Sequence, residues 1–299
     1  MPTLAKPAAS IAALSQTAAK YATAARADNT VSAYSKQYRY FAEWCAQNGL
    51  AAMPAAPETV ALYLSAQAER GLKVASLKLA LAAISQMHEL GGHSSPRSHS
   101  LVREVLKGVA RTHGAAQTQA APVLVADLRE MVKDASPRDR ALVLLGWAGA
   151  FRRSELVGLM VADVAFVPQG LVVTLRRSKT DKFGHGRQVA IPRAADAALC
   201  PVAAVRAWLD RHPGDGHLFR SVDRYGNVGG PLDGKDVARV LKKLGGEQFS
   251  GHSLRAGYAT TAAEAGMDAM AIAQQTGHRS PAMVQKYVRS AKLFGRPLV

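Results

Sequence analysis

The chain is poor in cysteine: Cys45 and Cys200 are the two in 299 residues, and neither belongs to a CxxC pair or a Cys/His cluster. That count excludes a disulfide framework and a zinc site, and it fits a reducing compartment. Long apolar runs are also missing. The longest, 141–151, is too short to cross a bilayer, and no secretory apolar segment opens the chain. Acids are scarce, 22 Asp plus Glu against 38 Lys plus Arg. No carboxylate cluster is placed to hold Mg²⁺, so no metal or other cofactor is expected. Gly234-Lys235 is followed by Asp236 instead of Ser or Thr and lacks the upstream glycines, which excludes a Walker loop. No internal repeat is found, so solenoids are excluded as well.

What remains is a chain long enough for two domains, with 48% hydrophobic residues and a formal charge of +16. The hydrophobic content excludes a mainly disordered protein. The positive excess implies a polyanionic partner, and nucleic acid is favoured over membrane because no basic amphipathic anchor stands out. A cytoplasmic, nucleoid-associated location follows as the expectation.

Read from the start, residues 1–27 are rich in Ala and carry Lys6, Lys20 and Arg26 with no acid, so a flexible N-terminal arm is expected. Helical periodicity then covers four segments. One runs from Asn29 or Thr30 to Gln47, stopped by Asn48-Gly49; a second goes from Pro57 to Arg70, a third from Ala75 to Leu90, a fourth from Ser98 to Thr112. Lys36, Arg39, Lys73, Lys78, Arg103, Lys107 and Arg111 are candidates for a phosphate-contacting face on this bundle, against the plainer reading of solvated helix faces. Residues 114–122 lack periodicity and read as a linker. Beyond them come helices over 125–133 and 137–148, and a turn, "FRRSEL", that opens a helix with Arg152, Arg153 and Glu155. Two β-rich runs, 171–176 and 187–191, predict a hairpin whose long basic loop holds Lys179 and Lys182. Helices are expected over 202–211 and 235–244. The fold class is mainly α with a small β-hairpin or sheet.

The most informative stretch is C-terminal: "GHSLR" with His252 and Arg255, "TGHRS" with His278, and "VQKYVR" with Tyr287. A helix is predicted from Ala256 to Ala265, another after Asp268 broken by Gly277, and a third from Ser280-Pro281 with Tyr287 about two turns inside. His252 and Arg255, three apart, would share a helix face. Each residue alone has a plain packing or surface explanation. Together, Arg152, Lys179, His252, Arg255, His278 and Tyr287 suit phosphoryl transfer. Guanidiniums stabilise charge on non-bridging oxygens, cations favour a phenolate, and a lysine can protonate a leaving oxygen.

The six motifs, in this order and at these spacings, resemble the tyrosine recombinase (phage integrase) family. Residues 28–113 are similar to the family's helical, SAM-like core-binding domain, and the layout is Cre-like, with 123–299 as the α+β catalytic domain. The resemblance implies two domains forming a clamp on DNA. It implies that Arg152 and Arg255 clamp the scissile phosphate, that Lys179 is the general acid toward the 5′ oxygen, and that His252 is the acid/base histidine. His278 then hydrogen-bonds the phosphate, Glu155 supports the site, and Tyr287 forms a 3′-phosphotyrosine link. The implied activity is site-specific recombination without metal or ATP, by a homo-tetramer acting on two double-stranded DNA sites through a Holliday junction. Mobile-element integrases and resolvases of DNA dimers fit alike. Cre-like members have Trp where His278 stands, and only 288–299 follows the tyrosine, which is short for a helix docking on a neighbour. Two rival readings are a DNA-binding protein of this fold without cleavage and a type IB topoisomerase-like enzyme that relaxes DNA.

Overall fold

The computed structural model describes residues 28–114, 119–176, 186–278, 280–285 and 287, plus isolated positions between 13 and 21. Most of the expected arm, part of the linker, the hairpin loop with Lys179 and Lys182, and the segment after Tyr287 lie outside the described residues. The chain divides into two compact units, 1–118 and 119–299.

The first unit is built from α1 (Asp28–Gln47), α2 (Pro57–Glu69), α3 (Val74–Leu90) and α4 (Ser100–Thr112). Pro57 pre-sets the first turn of α2, and Glu58 sits where the helix dipole favours an acid. The apolar stripe of α1 faces inward as its three- and four-residue spacing requires, burying Phe41 and Cys45. Phe41 meets Tyr63 edge-on at 5.1 Å, and Leu64, Leu77, Ile84 and Val102 complete the core. α4 begins two residues later than its expected start at Ser98. Pro96–Ser98 forms its own 3-10 turn, in which the Ser98 hydroxyl donates to the Ser95 carbonyl at 2.8 Å.

The second unit opens with α5 (Val125–Lys133) and α6 (Pro137–Ala148), followed by the short α7 (Arg153–Val157). Asp127 reaches back to the Leu124 N–H at 2.8 Å, and Ser136 caps α6 by accepting from the Asp139 N–H at 3.2 Å. α6 is apolar on most sides because it is enclosed: it packs on α8 (Pro201–Arg211) and on α10 (Ser253–Glu264). The expected hairpin exists as β2 (Gly170–Leu175) and β3 (Arg187–Pro192), but β1 (Val164–Val167) joins it to make an antiparallel sheet in the order β1-β2-β3. β1 escapes detection in sequence because its four residues are only part-buried or exposed and carry no alternation. A second small sheet pairs β4 (Arg220–Val222) with β5 (Val228–Pro231), again too short for a periodic signal. α9 (Gly234–Gly245) then leads toward α10 and α11 (Ala269–Thr276). The fold is mainly α with small sheets.

Two further expectations need correction. α10 starts at Ser253, not Ala256, because the Ser253 hydroxyl accepts from the Ser250 N–H at 2.9 Å and closes the first turn early. No long helix runs from Pro281 to Tyr287: Pro281–Met283 is a 3-10 turn, Val284 a turn, and Tyr287 is helical just beyond. α10 offers only methyl groups at Ala259, Ala262 and Ala263. That lets Ile272, Val284 and Tyr287 lie close against it in a small cluster of their own.

Candidate active site

Arg152 is fixed by a single carboxylate. Its backbone N–H, at the cap of α7, donates to Glu155 Oε2 at 2.9 Å, and its Nη1 donates to Oε1 at 2.5 Å. Glu155 is nearly buried, with its side chain 2% exposed. The acid one turn into α7 therefore satisfies the helix end and aims the guanidinium at once. Arg152 Nη2 donates onward to the Gly277 carbonyl at 3.2 Å. Removing this anchor has a price: Glu155→Ala leaves a part-buried guanidinium and a helix-cap N–H without acceptor. A loss of about 3 kcal/mol is expected, measured as a lower urea midpoint at unchanged slope. A loss below about 1 kcal/mol would show that water replaces the carboxylate.

Arg153, the second arginine of the pair, goes elsewhere. Its stem lies beside Gly234 and Gly251, where a methyl group would come within 3.4 and 3.0 Å of it.

Arg255, in the first turn of α10, is 1% exposed. Its Nη1 donates to the Ala150 carbonyl at 3.0 Å. Ala150 adopts φ 48°, a left-handed conformation that costs a non-glycine residue on the order of 1 kcal/mol. Burial drives the Arg255 guanidinium down to about 10, and the neighbouring Arg152 and Arg187 cations push the same way against Glu155 and Tyr287. It stays charged at neutral pH in a place that disfavours charge.

Tyr287 is 7% exposed, and its hydroxyl stands 3.4 Å from His252 Nε2. His252 is the residue just before α10; its N–H donates to Ser250 Oγ at 3.2 Å. His252, the cap residue, is exposed while Arg255 is buried, yet both lie beside Tyr287. Gly277 ends α11 in the left-handed conformation, φ 65°, which a glycine adopts without strain. His278 follows, with its ring centroid 6.3 Å from that of Tyr287. Thr276 sends its hydroxyl proton to the Ile272 carbonyl at 2.6 Å, so the 2.6 Å contact with His278 is Nδ1–H donating to Thr276 Oγ1. In the neutral ring this leaves Nε2 as the basic nitrogen.

The structure thus brings Arg152, Glu155, His252, Arg255, His278 and Tyr287 into one neighbourhood, and Lys179 and Lys182 fall outside the described residues. Lys36, Arg39, Lys73, Lys78, Arg103, Lys107 and Arg111 are all exposed on the first unit. Arg39 also lies 3.6 Å from Glu43. Sequence reasoning passed over Thr276, Ala150 and Arg187. Only Thr276 carried a hint, as the neighbour of the "GH" pair. Among the described residues no three His, Cys, Asp or Glu side chains gather as a metal-ligand set, and no helix is long and apolar enough to cross a membrane.

Arginines held against one acid, two histidines and a tyrosine on a mainly helical unit define a tyrosine recombinase. The chain belongs to the phage integrase family, matched over residues 120–293. An integrase/recombinase xerD homolog of Selenomonas ruminantium is 38% identical over 288 residues, covering 90% of this chain and 84% of its own. Tyrosine recombinase XerC of Methylobacterium nodulans is 29% identical over 289 residues, covering 89% and 85%. Among solved structures, a Tn1549 transposon integrase in complex with transposon right end DNA matches at a TM-score of 0.63, with 15% identity over 90% and 94% of the two chains. A lambda integrase dimer bound to a COC' core site matches at 0.60, with 19% identity over 96% of each. At these identities the two structures speak for the fold.

Proposed function

We propose that the chain recombines double-stranded DNA at specific sites by cutting one strand at a time through a 3′-phosphotyrosine at Tyr287. The observation that carries this reading is the Tyr287 hydroxyl 3.4 Å from His252 Nε2, with the Arg255 charge near enough to be felt by the phenol. Tyr287 oxygen attacks the phosphorus, and its proton passes to His252. Arg152 and Arg255 hold the non-bridging oxygens, and His278 Nε2, when protonated, adds a third donor. Because Arg255 is 1% exposed, the side chains covering it must give way as the phosphate arrives. The P–O5′ bond breaks and Lys179 protonates the departing 5′ oxygen. The new 3′-phosphotyrosine ester conserves the energy of the broken phosphodiester, so a 5′-hydroxyl from a second duplex attacks the phosphorus, Tyr287 leaves, and the strand is resealed without ATP. Two such exchanges, made by four protomers on two sites, pass through a Holliday junction. The exposed bases of the first unit, Lys36, Arg39, Lys73, Lys78, Arg103, Lys107 and Arg111, serve the backbone phosphates, as Lys182 does on the hairpin loop.

The test is covalent trapping. The protein is expressed in its host, denatured without crosslinker, and the attached DNA is sequenced, with Tyr287→Phe as control. Adducts at discrete loci from wild type, reduced at least about 10³-fold in Tyr287→Phe, are expected. Scattered adducts would favour a topoisomerase. DNA binding without any adduct would leave a binding protein.

A further inference from the structure

Arg187 is the first residue of β3, where the chain returns from the hairpin loop, and none of the roles above uses it. Its Nη1 donates to the carbonyls of Gln275 at 3.1 Å and Gln274 at 3.4 Å, at the C-terminal end of α11. The guanidinium lies against Gly277: a methyl group there would sit 3.0 Å from Nε, 3.1 Å from Cζ and 3.2 Å from Nη2. Arg152 holds the Gly277 carbonyl from another element. Two arginines, from the base of the hairpin and the cap of α7, therefore grip the same helix end, and His278 is the next residue.

A cation at a helix C-terminus is ordinary, because the last carbonyls carry negative partial charge. This one is not placed for stability. Burial lowers its proton affinity, with Glu155 opposing and Arg152 reinforcing that trend. Its Nη2 is buried with no hydrogen-bond partner among the described residues. An uncharged amide would tie down the same carbonyls without the cost of a part-buried charge and an orphan donor. Three guanidiniums, Arg152, Arg187 and Arg255, thus interact electrostatically around one carboxylate, Glu155.

We propose that Arg187 is a positioning residue for strand cleavage: by bracing the end of α11 against the base of the hairpin, it sets the Gly277–His278 turn, and so the His278 ring, at the scissile phosphate. The inference rests on the cleavage reading above. Gly277 is required twice over, by its left-handed backbone and by the guanidinium plane lying on it.

The experiment is a double-mutant cycle on the full chain. Its substrate is a duplex carrying a locus recovered by trapping, and it follows single-turnover adduct formation at saturating DNA. Arg187→Met is expected to slow adduct formation on the order of tenfold or more while leaving DNA affinity within about twofold. Arg187→Lys restores only part of the rate, since one amine cannot span both carbonyls while lying flat on Gly277. In a His278→Ala background Arg187→Met costs less than about threefold, because the residue it positions is already gone. An equal loss in both backgrounds, or no loss in the chain with His278 intact, overturns the proposal. If Arg187→Met does not fold, Arg187→Lys carries the same cycle, with a smaller loss where His278 is intact that again shrinks in the His278→Ala background. A wild-type chain that forms no adduct overturns the cleavage reading itself, a result visible before any Arg187 variant is compared.

Discussion

Arg255→Met is expected to make the protein more stable and to stop it cutting DNA. The guanidinium is held at about 10, so keeping it protonated at neutral pH costs on the order of 3 kcal/mol. Methionine fills similar space without charge. Against this stands the lost donor to the Ala150 carbonyl at 3.0 Å, about 1–2 kcal/mol. The balance is a gain of about 1 kcal/mol, or roughly 2–4 °C in melting temperature for a unit of this size. Cleavage should fall at least about 10²–10³-fold, the effect of removing one preorganised donor from developing negative charge.

The pH dependence gives the sign. Because folding lowers the Arg255 proton affinity, the unfolded chain holds more protons between pH 10 and the ordinary guanidinium range. Wild type therefore recovers stability as pH rises through 10, and its deficit against Arg255→Met narrows there. Urea unfolding of both proteins at pH 7 and above pH 10 reads this difference directly. A variant that is less stable than wild type at pH 7 would mean the Ala150 bond outweighs the buried charge.

Gly257→Ala is expected to be strongly damaging although it adds one methyl group. By helix propensity alone the change should help, since alanine is favoured over glycine inside a helix by about 1 kcal/mol. The tertiary structure reverses the sign. A methyl group on Gly257 would stand 1.9 Å from the Val123 carbonyl oxygen and 2.7 Å from its carbon, backbone atoms that cannot swing aside. Val123 is also pinned from both sides: its N–H donates to the Ser253 carbonyl at 3.0 Å, and its carbonyl accepts from Trp147 Nε1 at 2.9 Å. Moving Val123 strains both bonds and shifts α10, which carries Arg255. A loss of about 3 kcal/mol or more is expected, lowering the melting temperature by roughly 6–12 °C. A more stable Gly257→Ala protein would show that the 119–123 segment does not cross α10 at this point.

The contrast at Gly257 shows where a sequence stops being informative. Punctuation is local, so Asn48-Gly49 and Pro57 marked helix boundaries to within a residue or two. β1, β4 and β5 were missed because three or four part-exposed residues carry no period; pairing alone makes them strands. The start of α10 was misplaced for a similar reason, a side-chain bond between Ser253 and Ser250 that spacing does not disclose. Arg187 was invisible because an arginine opening a strand is usually a solvated edge residue.

The sequence by itself determined the kind of chemistry at stake: a chain of net charge +16, poor in cysteine and acid clusters, with six polar residues in an order that resembles one family. Those are properties of composition and spacing, which survive without coordinates. Tertiary structure alone decided where identical side chains go and what they meet. Arg152 meets Glu155 and Gly277, while its neighbour Arg153 lies along Gly234 and Gly251; Arg255 is sealed in and His252, three residues before it, is exposed. The reason is physical: a guanidinium's charge is set by its covalent structure, but its burial and part of its partner set come from distant segments, as Arg152 reaches the Gly277 carbonyl and Arg255 the Ala150 carbonyl more than a hundred residues away.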